Sequence, residues 1–197
     1  AGFGRIILNN IKSCGFPTEH LHVIKDGEKE IDGVRCVPTV AELPEPVDML
    51  VIAAPAPAIP KIVDDVVASG KVGAAIMIPG GMGETEGSED IKRKTEEAVA
   101  RGRQLPDGGP VFLGPNCMGI QSRPGRYDTF FIPQSKLDSR WGKPARRVAL
   151  VSQSGAFIIA RLSNLGTLDP ALAVSLGNQI DLTLADASRS LGVGFWG

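Results

Sequence analysis

A turn of small polar residues, Ser152 to Gly155, carries the strongest signal for chemistry in the sequence. Four apolar residues before it, Val148 to Val151, predict a short buried strand, and apolar residues at helical spacing follow it. The first amide groups of a helix have no partner within the helix, and the dipole makes that end electropositive. Ser154 can cap this helix, and the glycine lets a bulky anion approach its backbone. The turn therefore predicts a phosphate site, with an ordinary serine-capped connection as the alternative.

A pair of glycines, Gly2 and Gly4, leads into a second candidate site. The residues that follow, from Phe3 to Cys14, place their apolar side chains on one helical face. Glycines that open a helix form the tail of a dinucleotide-binding fingerprint. Asp26 lies 22 positions after Gly4, where an acid contacts the ribose in NAD-binding folds, although Asp26-Gly27 is equally a turn dipeptide. Because the strand and first glycine of the fingerprint are missing, we expect the chain to be a fragment.

Strands and helices alternate through the first two thirds of the chain. Apolar strands are predicted at Met49–Ala54, Ala74–Ile78 and Val111–Leu113, and helices fill the two intervals between them. Each strand runs into a loop of small residues, such as Ala54-Pro55 or Asn116-Cys117-Met118. This order predicts an α/β fold with a Rossmann-like, doubly wound parallel sheet that binds its ligand at the carboxyl ends of the strands.

The helix predicted over Glu89 to Arg103 has the clearest limits. Ser88 stands where an N-cap residue would, and the pairs Asp90–Lys94 and Arg93–Glu97 are spaced to form ion pairs on the exposed face.

The last third of the chain predicts a second unit. Residues 121–144 lack a helical period and are interrupted by prolines, so we expect an inter-domain connection that includes a possible strand over Thr129–Ile132. Beyond it, only two strands are predicted, which is too few for a complete α/β domain. We therefore expect one domain over residues 1–143 and a truncated second domain over residues 144–197, with no role assigned to residues 192–197.

The composition excludes several classes of function. A net charge of −1 gives no global basic field for nucleic acid, and no apolar run is long enough to cross a bilayer. Three scattered cysteines predict reduced thiols and a cytoplasmic location. Only two histidines are present, His20 and His22, and we interpret them as surface or packing residues. We expect no metal site.

Six short patches, taken together and in this order, resemble the ADP-forming acyl-CoA synthetases, relatives of the succinyl-CoA synthetase alpha subunit. They are Gly2-Phe3-Gly4-Arg5, Pro38-Thr39-Val40-Ala41-Glu42-Leu43-Pro44, Val51-Ile52-Ala53-Ala54-Pro55-Ala56, Gly114-Pro115-Asn116-Cys117-Met118-Gly119, Leu150-Val151-Ser152-Gln153-Ser154-Gly155-Ala156-Phe157 and Ser175-Leu176-Gly177-Asn178-Gln179. The resemblance covers nearly the whole chain. It implies a CoA-binding Rossmann-like domain followed by a flavodoxin-like ligase domain.

The resemblance also implies an activity and a set of site residues. Family members interconvert acyl-CoA, ADP and phosphate with carboxylic acid, CoA and ATP, through an acyl phosphate and a phosphohistidine. The residues implied for coenzyme A are Gly2 and Gly4 at the diphosphate, Lys25 at the ribose phosphate, Ala54 and Pro55 along the adenosine or pantetheine path, and Asn116, Cys117 and Met118 along the pantetheine arm. The residues implied for the transferred phosphoryl group are Ser152, Ser154, Gly155 and Ala156.

Two parts of the family's machinery are not found in this sequence. Neither histidine matches the context of the phosphorylated one, which we expect beyond the end of the chain. The ATP-grasp portion, with its ATP or ADP and Mg, is also expected elsewhere, as a domain or subunit of an oligomeric full-length enzyme that also binds the small acyl substrate. The 197 residues alone are therefore expected to be inactive as a ligase.

Two other functions are consistent with the sequence. One is a non-catalytic CoA-binding module that regulates a protein lysine acetyltransferase. The other is a NAD-binding domain of an oxidoreductase, which Gly4 and Asp26 alone suggest.

Overall fold

A computed structural model describes residues 2–137, 144–165 and 167–191. The five helices of these residues are α1 Phe3–Ser13, α2 Ile59–Ser69, α3 Glu89–Arg103, α4 Gly155–Asn164 and α5 Leu184–Ser190. Their ten strands are β1 Val23–Ile24, β2 Glu30–Ile31, β3 Val34–Val37, β4 Val47–Ile52, β5 Val72–Met77, β6 Val111–Leu113, β7 Gly119–Ser122, β8 Tyr127–Asp128, β9 Arg146–Ser152 and β10 Pro170–Ser175.

A parallel sheet of order β4-β5-β6 forms the centre of the first two thirds of the chain. Successive side chains of a strand point to opposite faces, and both faces of this sheet are buried. One face packs its Met77 and Phe112 against Val63 of α2 and Ala98 of α3. The other face packs against α1, β10 and α5. The α/β class and the parallel sheet covered on both sides are thereby confirmed.

A smaller sheet of order β1-β3-β2 accompanies it. Strand β1 pairs with β3 in parallel, and β2 and β3 form an antiparallel hairpin. The turn of that hairpin places Asp32 and Gly33 at φ values of 50° and 80°. The left-handed backbone of both residues explains why a short polar residue and a glycine occur here.

The third sheet has the order β8-β7-β10-β9 and corrects one expectation. The segment predicted to be an inter-domain connection supplies most of a β7–β8 hairpin, and β7 pairs antiparallel with β10. The residues predicted as a strand, Thr129–Ile132, are not one. The pairing with β7 satisfies the backbone hydrogen-bonding groups on one edge of β10. A sheet of β9 and β10 alone would leave those groups unpaired.

The limits of α3 hold, whereas β4 and β5 begin two residues before the predicted Met49 and Ala74, and one predicted cap is wrong. Helix α3 spans the predicted residues, and the pairs Asp90–Lys94 and Arg93–Glu97 lie 2.6 Å apart. Ser88 does not cap α3; its hydroxyl instead donates to the carbonyl of Thr85 and accepts the amide of Gly83. The predicted domain boundary at residue 143, like residues 192–197, lies outside the described residues.

Candidate functional site

A cleft of about 890 Å³ lies where α1 begins beside the carboxyl ends of β1 and β4. Four residues implied for CoA line it together: Gly2, Gly4, Lys25 and Ala54. They come from three separate parts of the chain: Gly2 and Gly4 lie at the start of α1, and Lys25 and Ala54 follow the carboxyl ends of β1 and β4, strands of two different sheets. A volume of this size lies within the range of ligand-binding sites.

The start of α1 has the geometry of an anion site. Gly2 is the N-cap residue, and no described side chain caps the helix. A Cβ atom built on Gly4 would lie 3.8 Å from the Cβ of Ala53, whereas one on Gly2 would meet nothing within 4 Å. The helix start is therefore open to the cleft with its first amides uncapped, the arrangement that favours a phosphate group.

The charges around the cleft are mixed. Lys25 is exposed on its wall, and Arg5 donates to the Asp32 carboxylate at 2.9 Å. Glu28 and Asp65 also line the cleft. Any attraction for a polyanion is therefore local, at the helix start and at Lys25.

Two further residues near the cleft bear on the sequence predictions. Asp26 accepts the backbone amide of Gly27 on its carboxylate at 2.9 Å, as in a turn, and is not among the residues that line the cleft. His22, interpreted from the sequence as a surface or packing residue, lines the cleft and has a buried Nδ1 without a hydrogen-bond partner among the described residues. Sequence reasoning gave no signal for that position.

The residues implied for the pantetheine arm form a tight loop after β6. Asn116 has a φ of 54°, and its backbone N–H donates to the carbonyl of Pro79 at 2.9 Å. Cys117 is buried, and its thiol donates to the carbonyl of Met77 at 3.3 Å. Met118 donates its amide to Ser175 Oγ at 3.0 Å, which ties this loop to β10.

The predicted phosphate site lies on the other side of Met118. Ser154 is the N-cap of α4, and its hydroxyl accepts the amide of Phe157 at 3.2 Å, which confirms the predicted cap. The amides of Gly155 and Ala156 have no acceptor within the described parts of the chain. A Cβ atom on Gly155 would lie 2.7 Å from the Cβ of Met118, so glycine is needed there for close packing.

Loops that follow strands of the central sheet and of the third sheet are hydrogen-bonded to one another beside Met118. Gly177 donates to the carbonyl of Gln153 at 3.1 Å, and Asn178 donates its amide to the carbonyl of Pro115 at 2.8 Å. The Asn178 side chain also donates to the Glu84 carboxylate. The loops that carry the predicted CoA and phosphoryl residues therefore form one connected rim.

Glu84 was not singled out from the sequence, yet it braces this rim. Its second carboxylate oxygen accepts the amides of Gly81 and Met82 at 2.9 and 2.6 Å. Burial alone would raise the pKa of Glu84, but the hydrogen bonds from Asn178, Met82 and Gly81 hold that pKa below its ordinary value. The carboxylate is therefore ionised at neutral pH. The only indication of this role in the sequence was that Glu84 lies in a glycine-rich loop.

The structure brings the predicted residues together in two groups. Gly2, Gly4, Lys25 and Ala54 share the cleft, and Pro55 follows them at the start of a short 3₁₀ turn. The second group surrounds Met118, with Asn116 and Cys117 on one side and Ser152 to Ala156 on the other. No described cluster of three or more histidine, cysteine or acidic residues is suited to a metal ion. None of the described helices is long and apolar enough to span a bilayer.

Cys117 is expected to be chemically silent in the folded protein. Burial raises the pKa of its thiol to about 12, so the thiol stays protonated between pH 7 and pH 9, and the thiolate is the reactive form. We expect no fast reaction of Cys117 with a disulfide reagent such as DTNB at pH 8, and full reaction in guanidinium. Peptide mapping of the labelled protein identifies the residue, and rapid labelling of Cys117 in the native state would contradict its buried position.

Comparisons with known proteins identify the family of this chain. A family model described as CoA binding domain matches residues 1–123. The alpha subunit of an ADP-forming acetate–CoA ligase I from Pyrococcus furiosus is 32% identical over 190 residues, which are 93% of this chain and 38% of that protein. An ADP-forming acetate–CoA ligase I from Archaeoglobus fulgidus is 31% identical over 185 residues, 93% of this chain and 25% of that protein.

A solved structure extends the similarity to the fold. Acetyl-coenzyme A synthetase 1 from Ca. Korarchaeum cryptofilum, in complex with phosphate and ADP, superposes with a TM-score of 0.81 at 28% identity, covering 97% of this chain and 38% of that one. The chain thus spans between a quarter and two fifths of the length of these proteins.

Proposed function

The chain belongs to the family of CoA binding domains, and from that premise we propose that it is the CoA-binding part of an ADP-forming acyl-CoA synthetase. The whole enzyme would interconvert acyl-CoA, ADP and phosphate with a carboxylic acid, CoA and ATP. The observation that carries this proposal is the meeting of Gly2, Gly4, Lys25 and Ala54 in one cleft at the open start of α1.

The residues of the cleft fit coenzyme A. The uncapped amides at the start of α1 would hold its diphosphate, and the absence of a side chain at Gly4 leaves room for that approach. Lys25 would bind the ribose phosphate from the wall of the cleft. The orphaned Nδ1 of His22 is a further polar atom at this wall. When bound, the cofactor supplies the thiol that accepts the acyl group.

The rest of the rim would orient the cofactor and the phosphoryl group. Asn116 to Met118 would lie along the pantetheine arm, where the protonated Cys117 packs without competing as a nucleophile. The uncapped amides of Gly155 and Ala156, which follow the N-cap residue Ser154 and lie near Ser152, would hold the transferred phosphoryl group. Such a group needs positioned donors and positive potential more than covalent chemistry. Met118 lies between the residues of the two sites, because its backbone amide donates to Ser175 Oγ and its Cβ lies close to Gly155.

The remaining parts of the proposal concern the longer protein. ATP or ADP, Mg and the phosphorylated histidine would come from segments or subunits outside this sequence, among them an ATP-grasp partner. The boundary at residue 143, the cytoplasmic location and the inactivity of the chain alone stay predictions. No observation favours the acetyltransferase-linked module or the NAD-binding alternative, and Asp26, on which the latter depends, is not among the residues that line the cleft.

Calorimetric titration of the chain with CoA and, separately, with NADH tests the proposal. We expect saturable binding of CoA and none of NADH. Binding of NADH without a response to CoA would overturn the proposal.

Lys25→Met is expected to weaken CoA binding about fivefold, because an exposed ion pair contributes on the order of 1 kcal/mol. Binding of dephospho-CoA, which lacks the ribose phosphate, should stay within twofold. The matched control is Lys29→Met, since Lys29 is exposed in the same connection between β1 and β2 and is not among the residues that line the cleft. Equal losses for CoA and dephospho-CoA in Lys25→Met would place Lys25 away from the ribose phosphate.

A further inference from the structure

Helix α1 contacts two parts of the protein with two adjacent stripes. Gly4, Leu8 and Ile11 belong to the stripe that lines the cleft. Phe3, Asn10 and Cys14 share the neighbouring stripe, since residues seven and eleven apart return to the same side of a helix. That second stripe binds the residues just after β8, numbers 130–134, which we call the clamp segment.

Asn10 makes the central contacts with the clamp segment. Its side chain is 4% exposed, and its Nδ2 donates to the carbonyls of Phe130 at 2.7 Å and of Ile132 at 2.9 Å. Its Oδ1 accepts the amide of Gln134 at 3.4 Å. Both N–H donors and the oxygen of the amide are therefore committed to one segment, which fixes the position of the side chain. A buried amide used this fully is costly to replace.

Two neighbouring contacts reinforce the clamp. Gln134 Nε2 donates to Cys14 Sγ at 2.8 Å and to the Asp128 carboxylate at 3.2 Å. The ring centroids of Phe3 and Phe131 lie 4.7 Å apart. The contacts extend along the whole length of α1, from the glycine end to the last turn, so the clamp sets the position of the helix as a body.

The clamp segment also connects α1 to the other sheet. It directly follows β8, which is hydrogen-bonded through β7 and β10 to β9, the strand that ends in the phosphate turn. We infer that Asn10 is a positioning residue for CoA binding: it holds the glycine end of α1 at the cleft and fixes the cleft relative to the sheet that carries the phosphate site. This inference rests on the proposed CoA site, and Asn10 itself does not line the cleft.

The test replaces Asn10 by an apolar side chain of similar size. Asn10→Leu keeps the volume but leaves the carbonyls of Phe130 and Ile132 without their donor. We expect CoA binding about tenfold weaker, measured by calorimetry well below the unfolding temperature, and faster hydrogen exchange at the amides of α1. The control is Val99→Ala in α3, a buried position in a helix none of whose described residues lines the cleft. It should lower the unfolding temperature by cavity formation and leave the CoA affinity within twofold.

The outcomes separate this inference from the proposal on which it depends. If the unaltered chain does not bind CoA, the proposed function fails. If it binds CoA and Asn10→Leu binds equally well, or if Val99→Ala loses as much affinity, Asn10 has only a structural role. Should Asn10→Leu fail to fold, Gln134→Leu weakens the clamp from its other side. We then expect a threefold to fivefold loss of CoA affinity, and an unchanged affinity would refute the positioning role.

Discussion

Gly177→Ala is expected to lower the free energy of unfolding by about 3–4 kcal/mol and the unfolding temperature by about 10 °C. Gly177 has a φ of 62°, where an L side chain costs roughly 1–2 kcal/mol. A Cβ atom there would also lie far inside contact distance of the carbonyl oxygen of Pro115 and 2.8 Å from the carbonyl oxygen of Asn116. Both obstacles are backbone atoms, so no side-chain rotation can relieve them.

The matched control for this prediction is Gly70→Ala. Gly70 ends α2 with a φ of 61°, and a Cβ atom there would meet nothing within 4 Å. The two substitutions share the backbone strain and differ in the clash, so the control should cost about 1–2 kcal/mol. Thermal unfolding of both variants gives the comparison. Equal losses would mean that the loops of the two sheets are not packed against each other as described.

Regular elements could be predicted well from the sequence because their signals are local. The alternation of strands and helices gave the place of α2 between β4 and β5, and the ion-pair spacing on α3 gave its exposed face. Ser88 shows the limit of such reasoning: a serine before a helix can cap it or bond to a nearby carbonyl, and only the surrounding loop decides.

Contacts between distant residues could not be predicted. The β7–β8 hairpin lacks an apolar period of its own, and its partner β10 lies about 50 residues further along the chain. Glu84 and Asn178 are 94 positions apart, and Asn10 lies 120 positions before Phe130. Glu84, Asn178 and Asn10 are polar residues whose contacts form only when distant parts of the chain have packed against each other. The residues that line the cleft could be proposed from the sequence. A glycine pair and the loops after strands mark the carboxyl ends of parallel strands even when the elements that pack against them are unknown.

The phosphate site gives the other large effect, through Gly155→Val. A Cβ atom at Gly155 would lie 2.7 Å from Met118 Cβ and 3.2 Å from Ser175 Oγ, and valine adds two methyl groups beside the uncapped amides. We expect phosphate or sulfate binding at least twentyfold weaker, a loss of about 1.8 kcal/mol, measured by the anion-dependent rise in unfolding temperature. The unfolding temperature without anion should also fall, because overpacking is destabilising.

Two comparisons separate lost binding from lost packing. Ala160→Val places the same β-branched side chain at an exposed position about one and a half turns further along α4, so it should leave the anion response intact. The CoA affinity of Gly155→Val should stay within fivefold, because the cleft residues Gly2, Gly4 and Lys25 are held by other elements. A variant that keeps its full anion response would show that phosphate does not bind at the start of α4. The two binding sites can be tested apart in this way because one lies at the start of α4 and the other at the start of α1, and Met118, which lies beside Gly155, is not among the residues that line the cleft.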